Sequence, residues 1–196
     1  MNIAFFADPS STHDAKWINR LAKDHAVIVI CGTTDLKKNL VDISIPIYPI
    51  IKGGYPILNF YRKQKITRQL KSILKSHRID IVHSMYIVPN AFWVDDTGYK
   101  NHIITTRGSD VLVEYQKQFH GGRIFLRKIT NRYLRYKTRE ALNKAKYITS
   151  TSLKQQEIIR KFINDEQNLF LVRTGVEIDK FLTLYEAGSK QTDDYI

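Results

Sequence analysis

Four residues of unlike chemistry stand in a row at positions 107 to 110: Arg107, Gly108, Ser109 and Asp110. They follow a run rich in β-branched side chains, Ile103 to Thr106, which reads as a buried strand. A strand that ends in a cation, a flexible Gly, a hydroxyl and a carboxylate has the groups to hold a polar ligand. Arg107 suits a phosphate or sugar oxygen, and Asp110 can orient a hydroxyl. Gly108 lets the backbone come close to a ligand. The plainer reading is that Ser109 or Asp110 only caps a following helix. Two histidines, His13 and His83, fall at the ends of other predicted strands and are expected to meet in the same cleft. For each, a purely structural role is the competing reading.

Other chemistries find no support. The chain has no G-x-x-x-x-G-K-[ST], no G-x-G-x-x-G after its first strand and no G-x-S-x-G. The histidines, at 13, 25, 77, 83, 102 and 120, lack H-x-x-x-H spacing, so no metal is expected. The single cysteine, Cys31, ends an apolar run and reads as core packing. No resident cofactor is implied.

The elements that must position these groups alternate. Apolar runs at 2–7, 26–31, 79–84, 102–106, 146–151 and 168–172 read as strands covered on both faces. Residues 43–51 read as an edge or irregular strand, because Pro46 and Pro49 interrupt it. Helical spacing appears at 14–23, at about 56–77, more weakly at 88–95, and at 123–143. After residue 152 comes LKQQEIIRKF, with Ser152 as its cap and Gln155 at the third position, as in a capping box. The expected fold is α/β, a doubly wound and mostly parallel Rossmann-like sheet over 1–185, with a linker or frayed tail at 186–196. In such sheets ligands gather outside the carboxyl ends of the strands. The segments that begin at residues 7, 83, 107 and 173 all fall there.

At 196 residues with 43% hydrophobic side chains, the chain can bury one ordinary core. Its charge is the unusual bulk feature: 31 Lys and Arg against 19 Asp and Glu, a net +12. That points to an anionic partner. Lys128, Arg132, Arg135 and Arg139 form one stripe on the 123–143 helix, beside an apolar stripe of Leu126, Ile129, Tyr133 and Tyr136. The 56–77 helix adds Arg62, Lys63, Lys65, Arg68, Lys71 and Lys75. Basic amphipathic helices suit an anionic membrane surface, and a solvated helix packed by its apolar side is the alternative. No recognised nucleic-acid motif is present, which argues against that partner. The N-terminus lacks a basic n-region, and no stretch nears the ~20 apolar residues of a span, so a cytoplasmic location is expected.

The ordered motifs resemble the N-terminal half of a family 4 glycosyltransferase of the GT-B architecture. STHDAKWINRLAKDHAVIV, with His13 and Trp17, is similar to an H-x-x-x-W helix in one branch of that family. IDIVHS is similar to its D-[IV]-[IV]-H strand, and TTRGSDVL to its H-G-x-D segment. ALNKAKYITSTS and LFLVRTGVEIDKF resemble the segments that close the N-terminal domain. The likeness spans about residues 1–182. It departs at Arg107, where the family often has His, at Thr174 and Glu177, where it has Asn and Asp, and at Pro9, Ser10 and Ser11, which replace a Gly-rich loop.

The resemblance implies a retaining, metal-independent transfer from a nucleotide sugar to a glycan or lipid-linked acceptor at the cytoplasmic membrane face. The nucleotide sugar is then a co-substrate, held mainly by a C-terminal donor-binding domain with a Glu-x7-Glu pair. No two glutamates here are eight apart. The chain is therefore expected to be the acceptor-side half, inactive without that domain. On this reading His13, Arg107 and Asp110 are the catalytic candidates, and Gly108, Ser109 and His83 line the acceptor cleft. Thr174 and Gly175 lie at the donor edge and hinge, and the Lys128–Arg139 stripe meets the membrane. The alternative is a non-catalytic basic α/β module that binds anionic lipid or nucleic acid.

Overall fold

The computed structural model describes residues 1–32, 38–51, 55–56, 59–108 and 124–173, with the helix but not the side chains given over 124–130. Seven strands form one sheet: β1 (Asn2–Phe6), β2 (Ala26–Gly32), β3 (Ile47–Ile51), β4 (Ile81–Met85), β5 (His102–Thr105), β6 (Tyr147–Ser150) and β7 (Leu169–Leu171). Their order is β3-β2-β1-β4-β5-β6-β7, and each neighbouring pair is parallel. The expected doubly wound Rossmann-like sheet is present. β3 lies at an edge, as its prolines require, but it is shorter than the expected 43–51. Residues 41–46 instead turn, with Val41 and Ile45 buried.

Among the described residues five helices accompany the strands: α1 (Thr12–Ala22), α2 (Phe60–Ser76), α3 (Phe92–Thr97), α4 (Ile124–Lys144) and α5 (Leu153–Ile159). A π-type turn over Ile87–Ala91 leads into α3. The weak helical signal at 88–95 is thus two short pieces, and Val88, inside the first of them, has extended dihedrals. Ser11 caps α1 by accepting from the Asp14 N–H, and Ser152 caps α5 by accepting from the Gln155 N–H at 3.3 Å. The expected capping box is altered. Gln155 Oε1 accepts from the Thr151 N–H at 3.1 Å and from Thr106 Oγ1 at 3.3 Å, so it ties the ends of β5 and β6 together.

Alternate strand residues feed the two sides of the sheet. Phe5, Val27 and Val29 pack with Ala15 and Ile18 of α1. Phe6, Ile28, Ile30 and Val82 pack with Ile66, Leu70 and Leu74 of α2 and with Trp93 and Val94 of α3. Ile104 and Ile148 continue that side against Ala141 and Leu142 of α4 and Ile159 of α5. Trp93, Phe5, Phe6 and Phe92 are wholly buried, and each such side chain contributes about 1.5–3 kcal/mol.

Of the apolar stripe expected on α4, the Leu126 and Ile129 side chains lie outside the described residues, Tyr133 is half-buried and Tyr136 is 60% exposed. Lys137 turns inward and is 5% exposed. The reason is α3, which presents two adjacent carboxylates. Lys137 Nζ bonds Asp95 and lies 3.1 Å from Asp96 Oδ1. Lys63 of α2 reaches Asp96 at 2.9 Å, and Lys144 reaches Asp95 at 3.0 Å and Glu140 at 2.6 Å. Tyr55 Oη donates to Asp96 at 2.5 Å. Burial pushes the Lys137 ammonium down, but hydrogen bonds and charge from Asp95 and Asp96 outweigh it and hold it above an ordinary lysine. A buried cation is tolerable when it is this fully paired.

Candidate active site

The strand order reverses between β1 and β4, and the crevice outside the carboxyl ends at that switch point is where such folds bind ligands. Four segments converge there: the loop after β1, the first turn of α1, the turn after β4 and the residues after β5.

The β1 loop is closed on itself. Asp8 Oδ1 accepts from the Ser10 N–H at 2.9 Å and from Ser10 Oγ at 2.7 Å, which rigidifies the Pro9-Ser10 corner. Asp14, one turn into α1, is wholly buried. Its Oδ2 accepts from the Asp8 N–H at 3.0 Å, and its Oδ1 accepts from Arg107 Nη2 at 3.0 Å. Burial raises the Asp14 pKa, and the Asp8 N–H and the Arg107 charge only partly offset that. Arg107 also directs Nη2 at Met85 Sδ, 3.7 Å away. Its Nε–H is buried and has no hydrogen-bond partner among the described residues. An unpaired buried donor costs about 1–3 kcal/mol.

After β4 the chain makes a sharp corner. Tyr86 has φ 76° and ψ 147°. Its N–H donates to Thr105 O at 3.0 Å. Asn90 then reaches back, donating from Nδ2 to Met85 O at 2.6 Å and to Phe6 O at 3.1 Å. One amide thereby ties the ends of β1 and β4 at the switch point.

The sequence-derived residues fall into four groups. The Arg107–Asp14 bond brings the end of β5 to the first turn of α1, so Arg107, half-buried Gly108 and exposed His13 share one edge. Arg107 is not a free cation at that edge, as expected from its type. It is 8% exposed and paired inward. His83 is likewise not an edge group meeting His13. It sits within β4, 6% exposed, hydrogen-bonded through Nε2 to Thr105 Oγ1 at 2.6 Å. Phe5 and Trp17 cover its ring, and burial, then the Arg107 charge, push its pKa down to about 4. The physical reason is register: His83 pairs beside Phe5 and Ile103 within the sheet, before the strand ends. Ser109, Asp110, Thr174 and Gly175 lie outside the described residues, as does the Lys128 side chain. Arg132, Arg135 and Arg139 are exposed on α4, and Arg139 Nη2 donates to Asn164 Oδ1 at 3.2 Å.

Asp14, Tyr86 and Asn90 complete this edge and were not singled out in the sequence. Asp14 reads there as an ordinary first-turn acid of α1. Nothing in the local sequence announces the corner at Tyr86, although Pro89 and Asn90 are turn formers. Among the described residues no group of three metal-ligating side chains occurs. A separate cavity of about 380 Å³ lies at the opposite, amino edge, lined by Asn2, His25, Ser44 and His77 among others. It is remote from the switch point.

The parallel sheet and its strand order define a Rossmann-like α/β domain of the type found in GT-B glycosyltransferases. The chain belongs to the glycosyl transferase 4-like family, whose sequence model matches residues 2–152. No curated protein matches the chain by sequence. Among solved structures it is similar to sucrose-phosphate synthase from Thermosynechococcus elongatus, with 14% identity and a TM-score of 0.62, over 91% of this chain and 49% of that one. A glycosyltransferase from Rickettsia africae is similar with 19% identity and a TM-score of 0.55, over 97% of this chain and 49% of that one. A putative UDP-N-acetylglucosamine 2-epimerase from Listeria monocytogenes shares the fold at 9% identity and a TM-score of 0.54, over 87% and 43%. The chain thus spans about half the length of these solved relatives.

Proposed function

We propose that this chain is the acceptor-side half of a retaining glycosyltransferase, which moves a sugar from a nucleotide sugar onto a glycan or lipid-linked acceptor. The observation that carries the reading is the switch-point edge. There Asp14 holds Arg107, and Arg107 keeps one unmatched N–H among the described residues. An incoming sugar or phosphate oxygen is the partner such a donor lacks. His13 stands in the same turn of α1 as a hydroxyl contact, and Gly108 leaves room for the ligand's approach. Asp110 and Ser109 continue this wall in the proposal, and Thr174 and Gly175 serve its donor edge. The nucleotide sugar is a co-substrate, bound mainly by a second domain with no metal. Transfer requires that domain, and the chain alone is inactive.

The acceptor is proposed to be met at the cytoplasmic face of the membrane. α2 carries six basic residues and no acidic one. Its outward side bears Lys65, Arg68, Lys71 and Lys75, and Phe60 and Tyr61 at its start are 70% and 79% exposed. α2 begins at the carboxyl edge, because it follows β3, and it ends at the amino edge, where Asn2 Nδ2 donates to His77 O at 3.1 Å. The aromatic pair therefore lies at the same edge of the sheet as the candidate site. Arg132, Arg135 and Arg139 add charge from α4. No helix among the described residues is long and apolar enough to cross a membrane, so the proposed contact is peripheral.

Titration calorimetry of the 196-residue chain against free UDP, GDP and UDP-glucose, and against methyl hexosides, tests the reading. Binding of a hexoside with no measurable nucleotide binding is expected. Tight nucleotide binding without hexoside binding would overturn it.

A further inference from the structure

The two sides of the sheet are covered unequally. α2, α3, α4 and α5 pack on one side. α1 packs on the other, and its apolar cluster ends at Met85 of β4. Register carries the α1 side onward from His83 to Ile103 and Thr105 of β5, to Tyr147 and Thr149 of β6, and to Phe170 of β7. Among the described residues, no apolar cluster that joins helix to sheet includes any of these five. Tyr147 is 39% exposed and Phe170 46%, and their rings meet edge to face at 5.8 Å. Parallel sheets of this class are covered on both faces. An aromatic pair on such a face is therefore a surface that needs a cover.

The chain supplies a fitting one. It leaves β7 at the carboxyl edge, and residues 174–196, which lie outside the described ones, follow at once. The other side of β6 and β7 is taken by α5 with Ile163 and Leu169. The spacing of Ile178, Phe181, Leu182 and Tyr185, at i, i+3, i+4 and i+7, predicts a helix with one apolar stripe. Residues 176–185 would make about 15 Å of helix, and the strands beneath are about 10–13 Å long. Charge agrees. Residues 174–196 carry five acidic side chains and two lysines, whereas the rest of the chain carries 29 Lys and Arg against 14 Asp and Glu. On the face itself Lys146 stands over the Tyr147 ring at 5.8 Å. Residues 109–123 fit the place less well, because they join β5 to α4 and α4 lies on the opposite side.

We propose that the α1 side of β5, β6 and β7 is a docking surface for this chain's own segment 176–185, laid down as a helix with its apolar stripe on Tyr147 and Phe170. The segment then belongs to the domain and closes its second face, and Thr174 and Gly175 make the turn into it. This surface is separate from the carboxyl-edge site and does not depend on what that site binds.

Hydrogen–deuterium exchange of the full chain, read by mass spectrometry, tests the docking. In wild type the amides of 176–185 should exchange about ten-fold or more slower than an unstructured chain. Tyr147→Thr/Phe170→Thr keeps strand-forming residues at two partly exposed positions. It should bring 176–185 to within about three-fold of the unstructured rate and leave β1 and β2 unchanged. Ile178→Ser/Phe181→Ser approaches the same contact from the segment with every strand residue in place, and it should speed exchange in β7 as well. Fast exchange of 176–185 in wild type would overturn the proposal. Protection of 176–185 that persists in both variants would overturn it too, as would release of 109–123 in its stead by the Thr variant. Protection seen only at high protein concentration, over about a twenty-fold range, would give the face to a second copy of the chain. If the Thr variant loses protection in β1 and β2, the Ser variant decides. Faster β7 exchange there with β1 and β2 intact supports the docking, and unchanged β7 exchange rejects it.

Discussion

Arg107 and Asp14 are 93 positions apart, yet the Arg107 guanidinium donates to the Asp14 carboxylate across 3.0 Å with both groups buried. The bond joins the residues after β5 to the first turn of α1, so the edge that carries the candidate site is one connected piece. It also changes what substitutions at Arg107 report. Removing either partner strands the other in a buried place, which typically costs about 3–5 kcal/mol. Arg107→Ala and Asp14→Ala should each destabilise the fold by that order. The double variant should lose clearly less than the sum, with a coupling of roughly 1–3 kcal/mol. Urea unfolding of all four proteins measures this. Strict additivity would show that the pair contributes nothing as a pair.

Lys137 makes a second prediction. It is surrounded by Asp95, Asp96 and Glu140, and it joins α4 to α3. Hydrogen bonds from Lys137 and Lys144 outweigh burial and hold the Asp95 carboxyl below its ordinary value. Lys137→Met fits the space of the stem but leaves two carboxylates short of their central cation. A loss of about 3–5 kcal/mol in the urea midpoint analysis is expected. Lys144 is more than half exposed, and Lys144→Met should cost far less, at most about 1 kcal/mol. Equal effects at the two positions would contradict the burial argument.

The sheet was legible because its strands are short apolar runs of β-branched residues, and the prolines at 46 and 49 correctly put β3 at an edge. The resemblance read from ordered motifs was likewise met by the family to which the chain belongs. What was not legible depends on contacts far apart in sequence. Lys137 looks like a surface residue until α3 supplies Asp95 and Asp96. Asp14 looks like a helix-start acid until β5 supplies Arg107. His83 was placed one pleat too far along β4, because the sequence does not mark where a buried strand reaches its edge. The Tyr86 corner has no sequence signal at all, since the residue type argues against the conformation it adopts.

Two buried histidines give a pH prediction. His83 is pushed down to about 4 by burial and then by Arg107, and His102 to about 3 by burial and then by His83. Both are neutral in the folded chain but gain a proton near 6.5 when it unfolds. Their contribution is therefore complete above pH 6.5 and is lost as pH falls from 6.5 through 4 for His83 and through 3 for His102. The slope is about 1.4 kcal/mol per pH unit for each group. Asp14 opposes this at the acid end: its raised pKa means the folded chain takes up that proton more readily, so its contribution grows as pH falls. Between pH 6.5 and 5 the histidines should dominate. Denaturant midpoints across that range should decline in wild type and flatten in His83→Gln/His102→Gln. Equal slopes in the two proteins would mean that neither imidazole is held neutral.

The membrane reading makes the last prediction, and the structure shifts its weight from α4 to α2. α2 presents Lys65, Arg68, Lys71 and Lys75 on exposed positions with no acid among them, and exposed Phe60 and Tyr61 stand at its start. Each basic residue close to an anionic bilayer adds up to about 1 kcal/mol, and the attraction is screened by salt. An aromatic residue at the lipid interface is much less sensitive to salt, since its gain comes from apolar burial. Replacing the four α2 cations by Gln should therefore reduce co-sedimentation with vesicles of 30% phosphatidylserine by about ten-fold or more at low salt, and much less at high salt. Phe60→Ser/Tyr61→Ser should lower binding at both salt concentrations. The corresponding Gln variant of Arg132, Arg135 and Arg139 should have the smaller effect, because Arg139 already has a partner in Asn164. If the α2 variants sediment as wild type does, α2 is not the membrane face. If instead they lose salt-sensitive binding to RNA while vesicle binding is absent throughout, the basic surface serves nucleic acid and the membrane reading falls.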